Sequence, residues 1–430
     1  MTLKNRSSET TSRRDFLKAG SVVAATGSLA LSSNVLHGAY ADGSDLLKVG
    51  LVGCGGRGTG AAAQALSADP YTKLVAVGDT FADQNEKCLK NLRSFGERAK
   101  VPKENRFTGF DAYKKVTAAV DVVLLATPPH FRPMHLREAI EAGKHVFCEK
   151  PVAVDAPGCR SVKETVELAR KKSLAIVSGL CWRYHPTIRA TFEQVKNGAI
   201  GDIHTMRCSY NTRGLWTKPR KKGWSEMEFQ VRNWLYYTWL SGDHIAEQHV
   251  HSLDKMTWAM GDKHPVKCSG TGGRQTRTEK IYGNVYDHFA VEYEYENGVK
   301  AFSRCRQQNG CDVDVSDTLY GSKGMCHISS HRTNIKGAVN WQYKGKSGNM
   351  YQIEHNELFQ SIRDGKPINN GDYMTTSTMM AIMGRMSAYT GKTITWDQAW
   401  NSKEDLSPKS YEWGDIKTPE VAMPGITRFV

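Results

Sequence analysis

The ten cysteines, at 54, 88, 148, 159, 181, 208, 268, 305, 311 and 326, contain no CxxC pair and no zinc-type spacing. That argues against a thiolate metal knuckle or a dithiol redox motif and leaves isolated thiols of the kind found in cores. Cys305 and Cys311 are near neighbours, yet at that spacing two thiols read as unpaired. Apolar residues never run for the ~20 positions that a membrane span needs. No RNA- or DNA-binding motif occurs either. The formal charge of +14 is spread along the chain. Its densest run, Lys218-Pro219-Arg220-Lys221-Lys222 between Trp216 and Trp224, reads as a solvated loop rather than an anion-docking patch. Nucleic acid is therefore not an expected partner.

What is present begins at the N-terminus. Ser12-Arg13-Arg14-Asp15-Phe16-Leu17-Lys18 carries an arginine pair, followed by small apolar residues from Ala19 to Leu36 and an A-x-A site at Ala39-Tyr40-Ala41. Residues 1–41 resemble a twin-arginine signal peptide. That pathway moves folded proteins, so the twin-arginine export machinery is an expected partner and the expected location is periplasmic or otherwise exported. A folded passenger leaves with a cofactor acquired in the cytoplasm. Free dinucleotide is scarce outside, so a redox cofactor should be held tightly. The remainder, near 390 residues, exceeds what one core usually supports and suggests two domains, 42–179 and 180–430.

In the first of these, Lys48 to Val52 form a short apolar run that leads into Gly53-Cys54-Gly55-Gly56-Arg57-Gly58, and Ala61 to Leu66 are strong helix formers. A second apolar run, Leu74 to Val77, ends at Gly78-Asp79. Strand, G-x-G-x-x-G turn, helix, strand and terminal carboxylate together predict a dinucleotide site. Gly53 allows the tight turn, Gly55 and Gly56 admit the pyrophosphate, Gly58 lets the helix pack closely, and Asp79 faces the adenosine ribose. A carboxylate there favours NAD, while Arg57 leaves NADP open. Further strands are expected at 121–127 and 145–148. Ligands bind beyond the carboxyl ends of such strands, which places Thr127, Pro128, His130, Glu149 and Lys150 beside the cofactor. His130 has a second reading as a cap for the helix after it.

The glycine turn, Asp79, Ala126-Thr127-Pro128 and above all Glu149-Lys150-Pro151 resemble the Gfo/Idh/MocA oxidoreductases, from about residue 46 to near 400. The resemblance implies an N-terminal Rossmann domain and a C-terminal α/β domain with an open, mostly antiparallel sheet that carries the sugar site and often the oligomer contact, so a homo-oligomer is expected. Strand-like runs at 203–210, 289–295 and 299–304 fit that second domain. So do the Asn297-Gly298 hairpin signal, helices at 351–364 and 372–390, and a closing segment at 391–396. The methionines at 374, 379, 380, 383 and 386 read as core filler.

"GDHIAEQHVH", residues 242–251, holds three histidines and two carboxylates. Family members carry D-x-x-x-H-x-x-D above the nicotinamide, matched here by Glu247, His251 and Asp254, with Glu247 in place of the usual aspartate. The extra methylene moves its carboxylate by about 1.5 Å, enough to change which hydroxyl it reaches. On one helix His244, Glu247, His251 and Asp254 would share a face, and His249 would point elsewhere. Three readings stand: a metal, which lacks ligand spacing and is not expected; a solvated or core-satisfied face; and proton transfer. For the last, His251 is the acid/base, Lys150 holds the substrate oxygen or relays its proton, and Glu247 orients His251 or binds a neighbouring hydroxyl. Arg183, Tyr184, His185, Tyr210, His244 and Asp254 are expected to contact a carbohydrate or cyclitol, with Trp216 a further candidate. The activity expected is NAD(P)-dependent oxidation or reduction of a secondary alcohol. Two alternatives remain: NAD-dependent glycoside hydrolysis through transient C3 oxidation, and non-catalytic binding of dinucleotide or sugar.

Overall fold

The computed structural model describes residues 45–329 and 332–430; the expected signal peptide and its cleavage site lie outside the described residues. The first sheet is parallel, in the order β3-β2-β1-β4-β5-β6. Its strands are β1 (Leu47–Val52), β2 (Thr72–Asp79), β3 (Arg106–Thr108), β4 (Val122–Leu125), β5 (His145–Cys148) and β6 (Ile176–Ser178). All four residues of β4 are buried, because helices cover both faces of a sheet whose crossovers are helical.

The second sheet has eight strands in the order β13-β12-β11-β7-β10-β9-β8-β14. They are β7 (Ile203–Thr212), β8 (Lys267–Gly273), β9 (His288–Glu294), β10 (Lys300–Gln307), β11 (Asp314–Gly321), β12 (Gly324–Ser329), β13 (Thr333–Gly337) and β14 (Ile394–Thr395). All its pairings are antiparallel except β7 with β10. In β10, Ala301, Ser303, Cys305 and Gln307 are buried, while Phe302 and Arg304 are exposed. That alternation marks a sheet with one covered face. Helix Gly371–Thr390 packs on the covered face and buries Met374, Met379, Met380, Met383 and Met386.

The sequence places the split between domains at 179/180, and one helix crosses it. Met350–Arg363 returns to the first sheet, where Leu358 and Phe359 pack with Leu51, Leu74 and Phe147. Gln352 donates to the Gln64 carbonyl at 2.9 Å, and Arg363 pairs with Asp69 at 2.6 Å. In the second sheet β8 and β11 to β13, and in the first sheet β3, carry no clear alternation in sequence and are found only in the structure. No helix among the described residues is long and apolar enough to cross a membrane.

Candidate active site

The glycine turn has the shape its chemistry requires. Gly53 sits at φ +94°, and a Cβ there would lie 2.6 Å from the Thr127 nitrogen. At Gly58 a Cβ would come within 1.8 Å of the Gly53 carbonyl oxygen, whereas at Gly55 and Gly56 it would meet nothing within 4 Å. So 53 and 58 are closed to side chains by packing, and 55 and 56 leave open space. That space lies at the start of helix Gly56–Ala68, whose N-cap, Gly55, supplies no side-chain hydrogen bond. Free N–H groups at the positive end of a helix suit a pyrophosphate, and the turn fits a dinucleotide.

Asp79 ends β2 and accepts hydrogen bonds from the Cys54 N–H at 2.7 Å and the Phe81 N–H at 3.0 Å. These hold the carboxylate beside the turn with capacity left for ribose hydroxyls. Arg57 turns away from it. Its Nε meets Glu149 at 2.7 Å, and its guanidinium lies over the Tyr351 ring at 4.8 Å. Glu149 therefore ties the glycine turn to the exit of β5 and does not present a free carboxylate. Thr127 is buried, its hydroxyl 3.4 Å from His135 Nδ1. Pro128 starts the turn Pro129–Phe131. His130 is neither free nor a helix cap: Nε2 meets the Tyr411 hydroxyl at 2.8 Å, and the ring sits edge-on to Trp239. Burial pushes its pKa down to about 4.

Lys150 leaves the end of β5 before a cis peptide bond to Pro151. Its ammonium donates to the Glu247 backbone carbonyl and pairs with the Glu247 carboxylate at 3.2 Å; the two side chains are 15% and 16% exposed. His251 follows on the next helix and is 8% exposed. Burial, then the charges of Lys150 and Lys255, hold its pKa well below the ordinary 6.5, so the imidazole is neutral at neutral pH. Its Nδ1 is buried without a partner. Lys150 and Glu247 thus meet, and the charge of Lys150 is felt at His251, although the single helix expected under Glu247 and His251 does not form. Helix His244–Glu247 stops, and a second helix begins at Val250. The break occurs where His249 turns into the second sheet and bonds the Ser303 hydroxyl at 2.7 Å.

That break corrects the expected shared face. His244 is buried, with Nδ1 3.1 Å from Asp243 and its ring against Phe289. Arg183 and Asp254 use their polar groups on each other: the guanidinium makes three bonds of 2.8–3.0 Å to that carboxylate and another of 2.6 Å to Asp262. Tyr184 is buried and donates to Asn370 at 2.6 Å. Asp254 and Tyr184 thus spend their polar atoms inside the protein, whereas Arg183 uses only Nε and Nη2 and His244 Nε2 is buried without a partner. His185, half-buried and stacked on Trp182, and Tyr210, half-buried, remain candidates. The phenol of Tyr210 is pushed up to about 12 by burial and the nearby Glu247 carboxylate, so it stays protonated. Trp216 is exposed, its ring edge-on to Trp234.

Four residues near the site escape the sequence reading. Buried Arg132 donates to the carbonyls of Thr127, at 2.7 Å, and of Pro151, fixing the exits of β4 and β5 together. A cation in the first turn of a helix opposes the helix dipole, and that anomaly was the available signal. Tyr411 and Trp413 reach back from the C-terminal segment, Trp413 stacking on Phe81 at 5.5 Å and lying 4.8 Å from Phe110. They therefore cover the exits of β2 and β3, and no periodicity marks them. Gln248, beside Glu247, carries no sequence signal at all. Among the described residues no group of three metal-ligating side chains is assembled.

A sheet exit with a phosphate cradle, facing a second α/β layer, defines a two-part dinucleotide oxidoreductase architecture. Residues 47–179 match the profile of the oxidoreductase family with an NAD-binding Rossmann fold (GFO_IDH_MocA), and residues 188–327 match the GFO/IDH/MocA C-terminal domain. Together they span more than half of the sequence, and the chain belongs to the GFO/IDH/MocA oxidoreductase family. Residues 10–30 match the twin-arginine translocation signal sequence. Over 260 residues the chain is 27% identical to inositol 2-dehydrogenase 3 of Saccharopolyspora erythraea, covering 58% of this chain and 68% of that one. Over 179 residues it is 26% identical to the 2,7-anhydro-N-acetylneuraminate hydratase of Escherichia coli (strain K12). That match covers 42% of this chain and 44% of the relative, less than half of the relative's length. A solved levoglucosan dehydrogenase in complex with NADH and levoglucosan shares the fold, with TM-score 0.64 and 17% identity over 81% of this chain and 99% of that one.

Proposed function

We propose that the protein is an exported, NAD-dependent oxidoreductase that moves hydride to or from a secondary alcohol of a sugar, cyclitol or glycoside. The observation that supports this reading is the Lys150–Glu247 pair at the exit of the sheet that bears the glycine turn, with His251 four residues on from Glu247. Bound NAD+ supplies the hydride acceptor. His251, neutral and largely shielded from water, takes the hydroxyl proton as the carbinol C–H bond breaks and the carbonyl forms. The Lys150 ammonium donates to the reacting oxygen and stabilises its developing negative charge. Glu247 holds Lys150 in place and keeps its charge balanced until substrate arrives. NAD is favoured over NADP because Asp79 would repel a 2′-phosphate while Arg57 is committed to Glu149. The expected homo-oligomer is tested by light scattering.

The hydratase relative favours one second reading, redox-neutral chemistry in which the same groups oxidise, eliminate and re-reduce a glycoside. Incubation with aryl glycosides and no added cofactor separates the two. Net NADH formation from a free polyol supports the dehydrogenase; aglycone release without net NADH supports the alternative. Sugar binding with no change in nicotinamide absorbance would leave a non-catalytic binder.

A further inference from the structure

Resting on the functional reading above, we propose that Gln248 is a specificity-determining donor whose amide N–H groups bind a second oxygen of the substrate, beside the carbinol that reacts. The orientation of this amide is fixed by a chain of side chains with only one consistent polarity. Arg277 has donors and no acceptor, so the Gln307 oxygen that its Nη2 meets must accept. Gln307 then presents its Nε2, which donates to Gln248 Oε1 at 2.6 Å. The Thr212 hydroxyl donates to the same oxygen at 3.4 Å. Both functions of the Gln248 oxygen are thereby occupied, and its nitrogen points away with no protein acceptor among the described residues.

The relay is anchored at its far end. Arg277 is 4% exposed and Gln307 3%. Asp287 accepts the backbone N–H groups of Gln275, Thr276 and Arg277 at 2.6–3.1 Å, and Arg277 Nη1 donates to the Tyr286 carbonyl at 2.9 Å. Gln248, in contrast, is only half-buried and directly follows Glu247, the partner of Lys150. Thr212 and the candidate Tyr210 lie two residues apart on β7 and so on one face of the sheet. A donor pair preset in this way costs little ordering when a hydroxyl or ring oxygen arrives, the condition under which one hydrogen bond discriminates well. Arg277 and Gln307 are positioning residues; only Gln248 touches the ligand.

The test uses the NAD-loaded enzyme with D-glucose, D-galactose and myo-inositol, and with monodeoxy analogues of whichever is turned over. Gln248→Leu should raise KM about tenfold with kcat changed less than threefold. One deoxy analogue should lose affinity equally in the wild type and show no further loss in Gln248→Leu, a coupling that a merely structural role would not produce. Gln307→Glu keeps the volume and the Arg277 contact but removes the donor to Gln248, which frees the amide to rotate; it should raise KM in the same direction with NAD affinity unchanged. A wild type active on the panel, with KM within twofold in both variants, overturns the assignment alone. A wild type inactive on the whole panel brings down the functional reading and the assignment with it.

Discussion

Two ion pairs join the exit region of the first sheet to the histidine segment, and they differ mainly in their access to water. Arg183–Asp254 is sealed, its side chains 8% and 1% exposed, and it is further satisfied by Asp262 and Ser377. Lys150–Glu247 is open at 15% and 16% and leaves donor capacity on the ammonium. The charges are the same in kind, yet the two pairs differ in how far water reaches them. A buried guanidinium that gives Nε and Nη2 to two carboxylates is held in place by them, whereas a half-shielded ammonium keeps enough desolvation to be strong and enough access to be useful. The sheets differ in the same way. The parallel sheet is covered on both faces and offers only its strand ends, through backbone and glycine; the second sheet exposes side chains along one face, where specificity can vary.

The largest expected effect is on the sealed pair. Arg183→Met should leave Asp254 buried and unpaired, costing about 3–5 kcal/mol and lowering the melting temperature by several degrees. The open pair should show the reverse pattern. Lys150→Met should lower kcat by about 10²–10³-fold while the melting temperature and NAD affinity stay close to wild type. If the two variants exchange phenotypes, the comparison fails.

The pH dependence sharpens the contrast. His251 is held neutral by burial, with Lys150 and Lys255 adding to the effect. Oxidation needs that neutral form, so the acid limb of the kcat/KM profile should lie below pH 6.5 and should vanish in His251→Ala. The same physics operates in the core. Burial holds His130 and His145 at about 4 and His135, His249 and His355 at about 3. The unfolded chain binds those protons from about pH 6.5 downward while the folded chain does not, so stability is full above pH 6.5 and falls as the pH drops. The loss should approach 1.4 kcal/mol per pH unit for each such histidine, measurable by thermal melts from pH 7 to pH 5. The smallest effect expected is from Glu247→Asp, which shortens the reach to Lys150 and should change kcat/KM by a few-fold.

The sequence is most informative where backbone conformation sets function. Gly53, Gly55, Gly58 and Asp79 could be placed by spacing alone, because strand, turn and helix follow one another locally. Lys150 could be placed at a strand exit for the same reason. It is less informative where long-range pairing decides. Nothing in Arg183 or Asp254 announces that they spend their polar atoms on each other, and charged residues near a motif look available until their partners are known. The helix break at Gln248–His249 was hidden because local spacing favours continuity, while the Ser303 hydroxyl that draws His249 inward lies on another strand. Tyr411, Trp413 and the Arg277–Gln307–Gln248 relay were illegible for the same reason.

The most direct test follows deuterium from a carbinol-deuterated polyol into enzyme-bound nicotinamide, by mass spectrometry of the released cofactor. The wild type should yield deuterated NADH, and Lys150→Met and His251→Ala should bind NAD yet transfer label at least tenfold more slowly. Transfer at the wild-type rate in both variants would contradict the placement of the reaction between the ammonium and the imidazole.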